Sequence, residues 1–265
     1  MTELKQQIFV AAHFGFFPEK GFELACELAK VYEKEVCFLG IPQKSEKDIT
    51  NYIETFSRWI KEKRANLSVG LKQYVLDEGE DFTDTMEHTE ASVIIFEIAN
   101  EKFYNSPVKQ LEMCRQLRIP YFFVKQNQDI RFEKVLVPIG FLNEEREKGP
   151  FSSSMGRFFK SEILLMPAKD YGSRARQNSE AIQTLLDKFN LPYKYIDATK
   201  NSFKVELEAA RKAKELEAGM LIISASRDYG LDDIFFGPKE LKVIRQSPVP
   251  VMVINPRKDL YTLCG

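Results

Sequence analysis

Apolar and polar positions follow a strand-then-helix order that the chain writes twice. Ile8 to Phe14 is a continuous apolar run, and Glu19 to Lys34 puts Phe22, Ala25, Ala29 and Tyr32 on one face at helical spacing. Val36 to Ile41 predicts a second strand, Asp48 to Lys63 a helix, and the alternating run Val69 to Leu76 a third strand. A short polar stretch ending near Glu90 continues the alternation into the apolar run Val93 to Ile98, the helical stretch Val108 to Leu117 and the short strand Tyr121 to Val124. Strands separated by helices, several of them apolar throughout, predict a mainly parallel sheet covered on both faces.

The second half repeats this order. Its strands are predicted at Lys134 to Ile139, Ile163 to Met166, Tyr193 to Ile196, Met220 to Ile223 and Val249 to Ile254. Its helices are predicted in a region ending near Lys160, at Ser173 to Phe189, Phe203 to Leu216 and Lys239 to Arg245. The register tests the repeat: Val10 and Val137, Cys37 and Leu164, and Ala91 and Ala218 all stand 127 residues apart. Toward the end RQLRIPYFFV matches RQSPVPVMVI at a spacing of 130, so the first copy is three residues shorter between its fourth strand and last helix. Copies of this length each bury their own core, which predicts two domains, 1–127 and 132–265, joined by the polar stretch Gln126 to Arg131.

Composition narrows the function classes. With 38 basic and 39 acidic residues interleaved, no overall field draws the chain to nucleic acid or an anionic membrane. No apolar run approaches the roughly 18 residues of a membrane span, and the start lacks a basic region and a cleavage site, so a cytoplasmic location is expected. Cys26, Cys37, Cys114 and Cys264 are widely spaced and form no Cys-x-x-Cys pair; the first three read as small core hydrophobes, with neither a metal site nor a disulfide framework expected.

The end of the second copy, AGMLIISASRDYGLDDIFFGPKELKVIRQSPVPVMVI, and its opening strand, KVLVPIGF, resemble the universal stress protein family. The resemblance implies an α/β fold of two tandem universal-stress-protein-like, adenine nucleotide alpha hydrolase-like domains, each an open five-stranded parallel sheet with helices on both faces. Nucleotide, where bound, lies at the carboxyl ends of the strands near the switch point. In ATP-binding members the signature is Gly, two residues, Gly, nine residues, Gly, then Ser or Thr, which brings backbone N–H groups and a hydroxyl to the phosphates.

On the second copy those four positions fall at Ser224, Arg227, Gly237 and Pro238, so one of four matches. The acidic residue that the family uses toward the ribose falls at Gly140. In the first copy Glu97 stands at the first glycine, Pro107 at the third, and His13 at the ribose acid. A carboxylate aimed at a phosphate is repulsive. The expectation is therefore a non-catalytic stress-response protein, with ATP binding largely lost, that acts through its surfaces or through a small ligand in a modified cleft. The alternative is a switch that holds ATP or AMP in the second domain alone, with Pro138, Gly140, Ser224, Ser226, Arg227, Gly230 and Gly237 as the candidate binding residues.

Other constellations have plainer readings. Asp84 and His88 lie four apart on a predicted helix, an arrangement better suited to a surface hydrogen bond than to metal. His13 reads as a substitution in a decayed pocket rather than a general base. Ser152 to Ser154 after Gly149-Pro150 read as capping and turn residues, and Asp228, Asp232 and Asp233 as solvated charge rather than a Mg²⁺ site. No paired nucleophile and base is visible, so no catalytic residue is expected. In the family the closing strands pair, which predicts that Tyr121 and Phe123 face Val251 and Val253 across an interdomain contact and leaves homodimerisation open.

Overall fold

The computed structural model describes residues 6–13, 16–41, 54–55, 57–63, 68–76, 81–98, 107–226 and 238–257. The chain divides into two units, Met1–Gln126 and Asn127–Gly265.

In the first unit, β1 (Gln7–His13), α1 (Glu19–Tyr32), β2 (Glu35–Ile41), β3 (Leu71–Val75), α2 (Phe82–His88), β4 (Ala91–Ile98), α3 (Pro107–Cys114) and β5 (Tyr121–Lys125) follow one another. All neighbouring strands are parallel, in the order β3-β2-β1-β4-β5. Ile8 to Val10, Val36 to Leu39 and Ile94 to Phe96 are buried, as strands covered on both faces require. α1 lays Phe22, Leu24, Ala25, Leu28 and Ala29 inward and ends at Glu33, whose left-handed backbone (φ 54°) lets its N–H donate to Ala29 O. Phe22, Phe38 and Trp59 meet edge-on or tilted at 4.8–5.7 Å between centroids, and Trp59 belongs to helical residues 57–63.

The second unit runs β6 (Lys134–Ile139), a 3₁₀ turn (Asn143–Glu147), α4 (Lys148–Phe159), β7 (Glu162–Pro167), α5 (Arg174–Lys188), β8 (Tyr193–Tyr195), α6 (Val205–Lys212), β9 (Met220–Ser224), α7 (Lys239–Gln246) and β10 (Val251–Ile254). Its strands are parallel in the order β8-β7-β6-β9-β10. Each sheet therefore reverses direction beside its first strand, between β1 and β4 in one unit and between β6 and β9 in the other. That reversal opens a crevice at the strands' carboxyl ends. β6 and β9 pair only through Val135 with Met220 and Leu136 with Leu221, so the chains part before Pro138 and Ser224. Gly219 enters β9 where a Cβ would stand 2.3 Å from the Arg131 carbonyl oxygen, so the strand's approach admits glycine alone.

Several element ends differ from the sequence reading. Ser152 to Ser154 are not caps but interior residues of α4, where Ser152 Oγ donates to Lys148 O at 2.8 Å and so satisfies itself within the helix. Pro150 is tolerated because it sits in the first turn, where its missing N–H has no helical acceptor. α6 ends at Lys212 rather than Leu216, and the turn that follows is closed by Leu216 N donating to Lys212 O. Cys26, Cys37 and Cys114 are buried thiols, and burial pushes the first two up to about 11 and about 12. Among the described residues no helix is long and apolar enough to cross a membrane.

Candidate functional site

At the switch point of the second unit, β6 ends on Pro138 and Ile139 with Gly140 just beyond, and β9 ends on Ser224. In an α/β sheet the N–H groups just past these strand ends are the natural donors to a bound anion. Here the protein's own carboxylates take them. Gly140 N donates to Glu145 Oε2 at 2.8 Å, and Ser224 N to Glu206 Oε1 at 3.1 Å. Ser226 N donates to Glu240 Oε1.

Lys148 holds these groups together. Its side chain is fully buried, and its ammonium donates to Pro138 O at 2.6 Å and Glu145 Oε2 at 2.8 Å, with Glu206 Oε1 at 3.4 Å. Three donors thus meet three acceptors, which is the condition for burying an ammonium at all. Lys239, half-exposed, adds a second cation 3.2 Å from Glu206 Oε2. Burial would raise the Glu206 carboxyl, but the Lys239 and Lys148 charges and the Ser224 N–H outweigh it and hold the group below its ordinary value. Burial acts oppositely on the Lys239 ammonium, yet Glu206, Glu145 and Glu240 keep it well above its ordinary value. Glu240 has only partial compensation: burial lifts its carboxyl despite Lys239.

The surrounding loops are tied just as closely. Asn178 donates to Gly140 O at 3.0 Å and Leu142 O at 2.7 Å, and accepts from Arg146 Nε at 2.8 Å. Phe141 N donates to Ser202 Oγ at 2.8 Å, and Ser202 in turn donates to Asp170 from both its N–H and its hydroxyl. Among the described residues, the strand-end groups of this crevice are thus tied by salt bridges and loop contacts internal to this unit.

Of the candidate residues named from sequence, Pro138, Gly140, Ser224 and Ser226 meet at this crevice, each contributing a backbone group to the internal network. Arg227, Gly230 and Gly237, with Asp228, Asp232 and Asp233, lie outside the described residues. Pro238 precedes α7 with extended backbone and supplies no side-chain cap, while its carbonyl accepts from Leu241 N at 3.0 Å. Tyr121 and Phe123 are buried in β5, and Val251 and Val253 are buried in β10.

In the first unit Glu97, near the end of β4, points its Oε2 at the start of α1, accepting from Lys20 N at 2.7 Å and Gly21 N at 2.9 Å. Pro18 before that helix offers no side-chain cap, so a carboxylate from a neighbouring strand does the capping and meets the helix's positive end. Pro107 is the buried first residue of α3. Ala12 and His13 close β1 beside Gly40 and Ile41. On α2, His88 Nδ1–H donates to the Asp84 carbonyl at 2.7 Å, not to its carboxylate. Among the described residues no three His, Cys, Asp or Glu side chains gather closely enough to hold a metal ion.

The sequence reading missed Glu145, Lys148 and Glu206. Their signal was present: Glu145 and Lys148 stand three apart directly after a buried strand, and Glu206 occupies a position in register with the buried Ala210 and Ala213. A glutamate on an apolar helix face has to find a cation or a donor.

No family model matches the chain. No curated relative matches it either. Among solved structures, a universal stress protein from Archaeoglobus fulgidus DSM 4304 is similar at a TM-score of 0.72 and 14% identity, over 96% of this chain and 97% of that one. A functionally unknown protein from Pseudomonas aeruginosa PAO1 is similar at 0.63 and 14%, over 95% and 93%. The cytoplasmic domain of a prokaryotic cation chloride cotransporter is similar at 0.57 and 12%, over 95% and 96%. These likenesses establish the fold over nearly the whole chain. They do not choose among functions, since one fold carries many.

Proposed function

We propose that this chain is a tandem universal stress protein of the cytoplasm that works without catalysis and without ATP in its second unit, through its surface or through a small ligand held elsewhere. The observation that carries this reading is the buried Lys148 with Glu145 and Glu206, which occupy the Gly140 and Ser224 N–H groups. A triphosphate entering there would compete with two carboxylates for the same donors and repel both. In the first unit Glu97 takes the N–H groups at the start of α1 in the same way.

The loops beside these strand ends support a role for the surface. Phe203 is 80% exposed and Tyr171 is fully exposed, while Leu142 is also open to solvent. Phe203 and Phe141 meet edge-on at 5.7 Å, and the Asp170, Ser202 and Phe141 hydrogen bonds fix the loops that carry these side chains. Apolar groups presented together on pinned loops are the usual mark of a contact surface.

Native mass spectrometry of the gently purified full chain tests the reading. The expected spectrum shows the mass of the polypeptide with no nucleotide adduct. A stoichiometric ATP or AMP adduct that persists through buffer exchange supports instead the switch that holds nucleotide in the second unit.

A further inference from the structure

Glu97 interrupts the apolar run of β4 with a carboxylate that is 2% exposed. Its capping of α1 needs only a neutral acceptor, so a glutamine would serve the helix as well. The second oxygen, Oε1, has no hydrogen-bond partner among the described residues. Burial lifts the Glu97 carboxyl above its ordinary value, the Gly21 and Lys20 N–H groups offset part of this, and the Glu19 charge adds to the rise. The Gln126 side chain on the same wall also lowers the carboxyl through a hydrogen-bond contact, but it brings no charge.

In the second unit two buried carboxylates have a lysine in contact, and Glu240, whose Oε2 lacks a hydrogen-bond partner as Glu97 Oε1 does, still has the Lys239 charge beside it. Glu145 has Lys148 at 2.8 Å, and Glu206 has Lys239 at 3.2 Å and Lys148 at 3.4 Å. Lys20 stands beside Glu97, but its ammonium is turned to Glu23 at 2.6 Å. A charge kept buried without a counter-charge is costly unless something else supplies one.

Glu97 is also the most buried of the residues around an open cavity of about 510 Å³, within the usual size of a small-molecule site. Phe22 and Cys26 give it an apolar wall, and Glu23 and Glu27 add negative charge. A single free carboxylate oxygen beside hydrocarbon suits an ammonium on an apolar body, whereas a metal ion would want several converging ligands.

We propose that this cavity binds a small organic amine, with its ammonium on Glu97 Oε1 and its hydrocarbon body against Phe22 and Cys26. The proposal rests on the reading that the chain acts through a small ligand, and it gives that ligand a chemical class. Its failure and the failure of the ATP reading are separable, because one is read with a diamine and the other with Mg-ATP.

The test is calorimetric titration of the full chain with 1,5-diaminopentane, with 1,5-pentanediol as the neutral probe of equal length and MgCl₂ as a bare charge. Saturable heat is expected for the diamine alone. Glu97→Gln keeps the acceptor for α1, so it should fold with an unchanged or raised melting temperature and bind the diamine at least tenfold more weakly. Cys26→Met, which narrows the cavity and leaves the carboxylate in place, should weaken binding as well. Absence of saturable diamine binding overturns the proposal. So does equal binding by Glu97→Gln, which would mark loose attraction to surface acids, and so does displacement of the diamine by equimolar Mg²⁺.

Discussion

Replacing Lys148 with methionine is expected to cost the second unit about 3–5 kcal/mol, read as a lower urea midpoint at an unchanged slope. Methionine fills much of the same volume, so the loss reports charge rather than a cavity. With the ammonium gone, Glu145 is left buried without its closest cation and Pro138 O without its donor, while Glu206 keeps only the half-exposed Lys239. Adding Glu145→Gln and Glu206→Gln to the same variant should return most of the loss. The amides still accept from Gly140 and Ser224, and the charge that loses its ion-pair partner is the half-exposed Lys239. A loss below about 1 kcal/mol for Lys148→Met would show that water reaches these carboxylates, as it does in exposed ion pairs.

Gly140→Asp is the next most disruptive substitution, and it separates the sequence reading from the structure. Judged from sequence, it restores the acid that the family uses toward the ribose. In the structure a Cβ at this position meets the Ser202 side chain at 3.3 Å and the Glu145 carboxyl carbon at 3.6 Å. The new carboxylate would enter a buried site beside Glu145, whose nearest cation, Lys148, is already shared. The expected outcome is a loss of about 2–4 kcal/mol in chemical denaturation, with no gain of ATP binding. Retention of full stability together with measurable ATP affinity would mean that the crevice can open, and that the signature residues alone decide occupancy.

How much the sequence disclosed depended on whether the signal was local. Apolar runs such as Val93 to Phe96 and Val135 to Ile139 are continuous because their strands are covered on both faces, and they located the sheets within a residue or two. Helix ends were less visible. Nothing local stops α6 at Lys212, where the turn closed by Leu216 takes over, and Ser152 to Ser154 looked like caps because their bond to the preceding turn depends on a helix already formed. The departures from the family's phosphate signature were legible at Arg227, Pro238 and Glu97, since each puts another side chain where that signature has glycine, serine or threonine. The occupants were not: Glu145 and Glu206 lie 61 residues apart and act together only because β6 and β9 are neighbours across the switch point. Glu97 was read as aimed at a phosphate. It caps α1, because the sheet brings the end of β4 beside that helix's first turn.

A strand-end site filled from within leaves no donors in the second unit for a nucleotide's phosphates. Titration of Mg-ATP to millimolar concentration into the wild-type full chain, followed by calorimetry, measures this. No saturable heat is predicted, because the Gly140 and Ser224 donors are held by carboxylates that share the buried Lys148 as counter-charge. A dissociation constant tighter than about 10 μM, or about −7 kcal/mol, would contradict it.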